Sequence, residues 1–135
     1  MALIIDSSVF IAHERRGDMA NVLTLTASDE PVAMAAITVS ELLVGVHRAD
    51  STERRLKREA FVEAVLQQIP IVPFDTRVAR VHAVLWAQLT ATGQMIGAHD
   101  LLIAATAVAY DYTILTINVR DFQRVPGLKV TAPNS

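Results

Sequence analysis

Four acidic residues stand apart from the other acids of this 135-residue chain, because each lies against strongly apolar sequence. The chain has 14 acidic residues, and most of them fall in mixed-charge stretches where water can solvate them. The four exceptions are Asp6, Glu41, Asp100 and Asp121. Carboxylates that gather in one place repel one another, and a divalent cation relieves that repulsion. Because Mg²⁺ and Mn²⁺ prefer oxygen ligands, the four acids predict a carboxylate metal site suited to phosphate-ester hydrolysis.

Each of these acids also has a purely structural interpretation. Thr38 and Glu41 have the spacing of a capping box, in which Thr38 is the N-cap and Glu41 lies three residues further on. Asp6 and Asp100 would each cap the helix that follows, and Asp121 would form an Asx-turn after a strand. Capping explains each acid singly, but it does not explain why several acids gather at one edge of one sheet.

Three neutral polar residues accompany the acids: Ser8, Thr116 and Asn118. Their hydroxyl and amide groups would orient the carboxylates or a water on the metal. The alternative is ordinary loop and cap hydrogen bonding. The sequence leaves both interpretations open.

Other catalytic chemistries lack the residues that they need. The absence of cysteine excludes disulfides, thiol nucleophiles and zinc–thiolate sites. The four histidines show neither HxH nor HExxH spacing, which argues against a zinc site. The five glycines are scattered, which argues against a P-loop or a dinucleotide-binding loop.

Short apolar runs alternate with longer helical segments, which predicts an α/β fold with a mostly parallel sheet. The predicted strands cover residues 2–5, 32–37, 70–74, 112–117 and 128–131. The predicted helices cover residues 7–13, 19–27, 38–49, 53–68, 75–91 and 100–110, with Gly93 available to end the fifth. Ligands of parallel sheets bind beyond the carboxyl ends of the strands, where three of the four acids are expected.

Composition limits the class of protein. The chain is 52% hydrophobic and 19% charged, which predicts one folded domain, with apolar surface left over for a partner. The N-terminal residues lack a basic segment and reach an acid at Asp6, so we expect no secretory signal and a cytoplasmic location. With a net charge of -2, a nucleic-acid partner requires a local basic patch. The densest basic stretch, residues 47–58, is either such a patch or a solvated helix face.

The acids fall in four sequence blocks that together resemble the PIN domain, and in particular the VapC-like ribonuclease toxins of type II toxin–antitoxin modules. The blocks are DSSVFI from Asp6, TVSELLVG from Thr38, DLLIAA from Asp100 and LTINVRDF from Leu115. The resemblance extends from Leu3 to Val130 and indicates a single PIN-like domain over residues 1–135. His99, beside Asp100, falls at a position that we regard as variable among the proteins that this chain resembles.

The resemblance implies an endoribonuclease that depends on Mg²⁺ or Mn²⁺ and has Asp6, Glu41, Asp100 and Asp121 as catalytic acids. The metal held by Asp6 and Asp100 would activate a water, and Glu41 or Asp121 would position that water or accept its proton. Asn118 would share the role of Asp121. The number of metal ions stays open.

The resemblance also implies an architecture and partners. We expect a three-layer α/β/α fold with a parallel sheet of about five strands, assembled as a homodimer. A small VapB-like antitoxin would cover the active site. The substrate would be RNA, with a loop of tRNA or rRNA favoured because unstacked nucleotides bend more easily into a narrow site.

Two other functions compete with the nuclease. A non-catalytic PIN-like module would bind RNA or protein without cutting, although the presence of all four acids disfavours it. A phosphotransfer or phosphatase domain would place acids on a similar sheet. The receiver type of such domains needs a lysine after a late strand, and the only lysines here are Lys57 and Lys129. The phosphatase type needs a second Asp two residues after the first, where this chain has Ser8.

Overall fold

The computed structural model describes residues 2–16 and 30–133, which form a parallel sheet with helices around it. The strands are β1 (Leu3–Ile5), β2 (Val32–Ala35), β3 (Ile71–Val72), β4 (Thr113–Leu115) and β5 (Lys129–Thr131). The helices are α1 (Ser7–Arg16), α2 (Ala36–His47), α3 (Thr52–Gln68), α4 (Thr76–Thr92), α5 (Ala98–Ala109) and α6 (Val119–Phe122). No helix among these residues has the length and apolarity needed to cross a bilayer.

The five strands lie in the order β3-β2-β1-β4-β5, and every neighbouring pair is parallel. The central strand β1 pairs with β2 on one side and with β4 on the other. Chain order reverses between β1 and β4, so the carboxyl ends of these two strands flank the crevice where parallel sheets bind ligands.

Alternate side chains of the central strands pack into two apolar clusters, one on each face of the sheet. Ile4 pairs in register with Ile114, and both belong to the cluster that includes α4 and α5. Ile5 pairs with Leu115, and both belong to the cluster that includes α1, α2 and α3. Burial of both faces explains why these strands are continuously apolar in sequence, and it confirms the predicted three-layer α/β/α fold.

The ends of α4 follow from two residues with local preferences. The Asp75 side chain accepts a hydrogen bond from the backbone N–H of Val78 at 2.9 Å and caps the first turn. Gly93 ends the helix in the left-handed conformation with φ of 67°, which glycine adopts without a steric penalty. The predicted end of this helix at Gly93 is therefore confirmed.

The predicted boundary between β2 and α2 is wrong by two residues. The strand ends at Ala35 and the helix begins at Ala36, so Thr38 lies inside the first turn and is not an N-cap. The reason is packing, because Ile37 contacts the α4–α5 cluster from within the helix. The capping-box interpretation of Thr38 and Glu41 therefore fails.

Three other predicted segments differ from the structure or lie outside it. The strand predicted over residues 70–74 shortens to Ile71–Val72, because the prolines on either side cannot donate to the sheet. The strand predicted over residues 112–117 shortens to Thr113–Leu115. The helix predicted over residues 19–27 lies outside the described residues.

Candidate active site

Asp6 lies directly after β1, at the point where β1 and β4 end together. Its backbone N–H donates to the Leu115 carbonyl at 2.9 Å, which continues the pairing of the two strands. The residue is 3% exposed. Its Oδ2 atom accepts two hydrogen bonds, from the Ser8 hydroxyl at 2.7 Å and the Thr116 hydroxyl at 2.9 Å. The side chain thus binds two hydroxyl groups from two segments of the chain.

Both hydroxyls are held in place by backbone groups that follow β4. The N–H of Ile117 donates to the Ser8 hydroxyl at 3.2 Å, and the N–H of Asn118 donates to the Thr116 hydroxyl at 2.9 Å. Each oxygen therefore accepts from the backbone and donates its own proton to Asp6. The interpretation of Ser8 and Thr116 as residues that orient a carboxylate accounts for these contacts.

The second carboxylate oxygen of Asp6 has no such partner. Oδ1 is buried and accepts no hydrogen bond from the described residues, and the same is true of Oε1 of Glu41. Buried polar atoms are nearly always satisfied, because an unpaired one costs free energy. Two unpaired carboxylate oxygens are suitable ligands for a cation.

Glu41 on α2 and Asp100 on α5 are partly buried and lie close enough to Asp6 to feel its charge. Burial raises the pKa of Glu41, and the charges of Asp6 and, more weakly, Asp100 raise it further. Burial likewise raises the pKa of Asp100, as do the charges of Asp6 and then Asp121. The fold therefore brings together all four predicted acids, and their mutual repulsion is present in the structure.

The structure does not support two of the structural interpretations: Asp100 does not cap a helix, and Asp121 does not form a turn after a strand. Gly97 is the N-cap of α5, and no side chain caps that helix. Asp121 lies within α6, where its Oδ2 accepts a hydrogen bond from the Asn118 amide at 2.9 Å. Asn118 thus orients Asp121.

The donor set fits a hard divalent cation that keeps most of its water. In the parts of the chain that the structure describes, no three His, Cys, Asp or Glu side chains converge as a ready-made metal cage. Mg²⁺ needs no such cage, because it is usually held by one or two carboxylates and several waters. Asp6 is the strongest candidate ligand, because one of its oxygens is fixed by two hydrogen bonds and the other is unpaired. Asp100 is a second candidate, since it lies close enough for the charge of Asp6 to raise its pKa in addition to the effect of burial.

One residue near the acids was not predicted to take part. His99, in the first turn of α5, has Nδ1 3.6 Å from Oε2 of Glu41. The only signal for His99 in the sequence is that it directly precedes Asp100, because it lies outside the four acid-centred blocks. Its contact joins two helices that are far apart in sequence, so spacing along the chain does not reveal it.

For a cation held by Asp6, replacing Thr116 by Val should weaken binding by about 10- to 100-fold, because Asp6 loses a donor that holds its carboxylate in position. The measurement is a Mn²⁺ titration followed by thermal unfolding. Thr106→Val is the matched control, since Thr106 is also buried but donates to the Leu102 carbonyl within α5. An unchanged Mn²⁺ midpoint in Thr116→Val would contradict this role.

Comparison with known proteins assigns the family. The PIN domain family model matches residues 3–128. The chain is 40% identical to a protein named ribonuclease VapC1 from Rickettsia felis, over 100% of this chain and 98% of that one. It is 29% identical to a protein named tRNA(fMet)-specific endonuclease VapC from Salmonella typhimurium, over 73% of each chain.

The fold of this chain matches a chain in the crystal structure of VapBC2 from Rickettsia felis bound to a promoter DNA fragment. That match has a TM-score of 0.87 and 25% identity, and covers 99% of this chain and 100% of the other. This chain therefore belongs to the PIN domain family and, within it, to the VapC-like proteins.

Proposed function

We propose that this protein is a VapC-type endoribonuclease that hydrolyses RNA phosphodiester bonds with Mg²⁺ or Mn²⁺. The observation that carries the proposal is the state of Asp6, whose Oδ2 is saturated by two hydroxyls while its buried Oδ1 has no partner among the described residues. The names of the two relatives, a ribonuclease and a tRNA endonuclease, support RNA as the substrate.

In this proposal the chain contributes ligands, a base and a rigid frame. Asp6 and Asp100 would hold the ion, with Glu41 and Asp121 beside them. A divalent ion held there would supply a lowered pKa of water and stabilisation of the negative charge that develops on the phosphate. Glu41, whose pKa burial already raises, is suited to accept a proton from the attacking water near neutral pH. The Asn118 amide keeps the Asp121 carboxylate oriented.

The direct test is to incubate the purified protein with tRNA and rRNA in the presence of Mn²⁺ or Mg²⁺. We expect discrete fragments cut in single-stranded or loop regions, and no fragments with chelator. Single-stranded DNA of the same sequence is the control, because it tests whether cleavage requires ribose. Binding of RNA without cleavage under every metal condition would favour the non-catalytic module instead.

Divalent metal should stabilise the fold, because a bound cation offsets the burial of the carboxylates and relieves their mutual repulsion, which together raise the pKa of Glu41 and Asp100. At 100 times its Kd an ion adds about 2.7 kcal/mol, which corresponds to a Tm increase of roughly 5–15 °C. Thermal unfolding with Mn²⁺ or with chelator measures the effect. Asp6→Asn should remove most of the response while leaving the metal-free protein at least as stable. No increase in Tm with Mn²⁺ would contradict a shared site.

We also propose that a small VapB-like antitoxin covers this site, as the VapBC name of the related complex suggests. A cavity of about 150 Å³ beside Glu41 offers a pocket for such a partner, with both apolar walls, such as Ile11 and Phe61, and charged ones, such as Arg15. Coexpression with the product of the neighbouring reading frame tests the idea. A stable complex with reduced cleavage supports it, and separate elution of the two proteins contradicts it.

A homodimer is the expected state of the free protein. Two large apolar side chains on α4, Val84 and Trp86, are more than half exposed. Val84 lines an apolar groove with Val81 and Val108, whereas Trp86 lies on another side of the helix; an apolar groove open to solvent is typical of an interface. Light scattering at micromolar concentration should give twice the 14.7 kDa chain mass, and Val84→Glu should shift the protein towards one chain. A single-chain mass for the unmutated protein would contradict the dimer.

A further inference from the structure

An RNA phosphate that approaches this site meets four carboxylates, so some basic group must offset their repulsion. The basic stretch over residues 47–58 is partly used within the protein. Three of its six basic side chains form ion pairs: Arg54 with Asp50 at 3.0 Å, Lys57 with Glu53 at 3.5 Å and Arg58 with Glu14 at 3.2 Å. Arg58 also donates to the Gly45 carbonyl at 2.8 Å, which fixes it between helices.

His99 is a basic side chain in direct contact with one of the acids. Its Nδ1 is 3.6 Å from Glu41 Oε2, and it directly precedes Asp100 on α5. Its presence lowers the pKa of both Glu41 and Asp100, against the larger upward effect of burial. The imidazole therefore lies close to two of the four acids.

Exposure shows which of the two contacting side chains faces solvent. The His99 side chain is 59% exposed, whereas that of Glu41 is 23% exposed. The ring thus lies on the solvent side of the carboxylate, where an RNA strand has to enter.

We infer that His99 binds the RNA backbone, by donating an imidazole N–H to a phosphate oxygen at the mouth of the acid site. The inference rests on the proposed ribonuclease function and adds a substrate-binding residue to it. It does not depend on the charge of the ring, because the 3.6 Å contact with Glu41 is longer than a hydrogen bond and leaves an N–H of either neutral or protonated imidazole free to donate. The alternative role is positional, in which His99 only steadies Glu41.

The two roles predict different kinetics. Loss of a hydrogen bond to a charged phosphate should raise the KM of His99→Ala by about 10- to 100-fold, with kcat changed by less than about threefold. His99→Gln keeps an N–H donor and should recover part of the lost KM. Since His99 is exposed, both variants should fold, and their Mn²⁺ midpoints in thermal unfolding should match that of the unmutated protein.

His82→Ala is the matched control, because His82 lies on α4 with its ring edge-on to Phe74 and should leave KM within about twofold. If the unmutated protein cleaves RNA and His99→Ala has an unchanged KM, the inference is overturned and the ribonuclease function stands. A fall in kcat alone, or a shifted Mn²⁺ midpoint, also overturns it in favour of a positional role. If the unmutated protein cleaves no RNA, the proposed function fails, and the inference fails with it.

Discussion

Replacing Asp100 by Asn should reduce RNA cleavage by about two to four orders of magnitude while the fold survives. The amide keeps the shape of the side chain but removes a charge that, in the proposed function, would hold the metal. The folded state should tolerate the change, because burial and the charge of Asp6 already disfavour the ionised form of Asp100 and raise its pKa. Initial cleavage rates with Mn²⁺ and the Tm of the metal-free protein measure the two effects separately.

Asp111→Asn is the matched control for this substitution. Asp111 is exposed, pairs with Lys129 at 3.6 Å and has φ of 57°, a conformation that Asn adopts readily. This variant should cleave RNA like the unmutated protein. In bacteria, expression of the unmutated protein or Asp111→Asn should stop growth, and expression of Asp100→Asn should not. If all three are harmless and none cuts tRNA or rRNA, the nuclease proposal fails and a binding module replaces it.

Replacing Phe122 by Ala should destabilise the protein by about 3–5 kcal/mol, which is a large part of the stability of a typical domain. Phe122 is fully buried in the cluster that also contains Ile4 and Ile114. It anchors α6, a helix of four residues that also carries Asp121. Cleavage should therefore fall together with stability, since Asp121 loses the support that holds it beside the other acids.

Urea unfolding of Phe122→Ala measures the loss of stability. Phe74→Ala is the control, because Phe74 is 46% exposed and its removal should cost less than about 1 kcal/mol. Equal losses for the two variants would show that α6 is not held by its buried phenylalanine.

The layers of the fold were predictable because burial leaves a simple pattern in sequence. Leu3–Ile5 and Thr113–Leu115 consist mainly of apolar residues without alternation, as strands covered on both faces must be. The ends of α4 were predictable for a local reason, because Asp75 caps its first turn and Gly93 ends it in the left-handed conformation. The start of α2 was not predictable, because it depends on the packing of the partly buried Ile37 against the core.

The sequence by itself determined which acids would gather, because each of them lies at or near the end of a predicted strand or the start of a helix, and the carboxyl ends of parallel strands meet at one edge. Only the tertiary structure decided how each carboxylate is used. Thr116 binds Asp6 from 110 residues away, which leaves one oxygen of Asp6 saturated and the other unpaired. His99 reaches Glu41 from another helix. Such contacts depend on distances between side chains of separate elements, and no periodicity along one element encodes those distances.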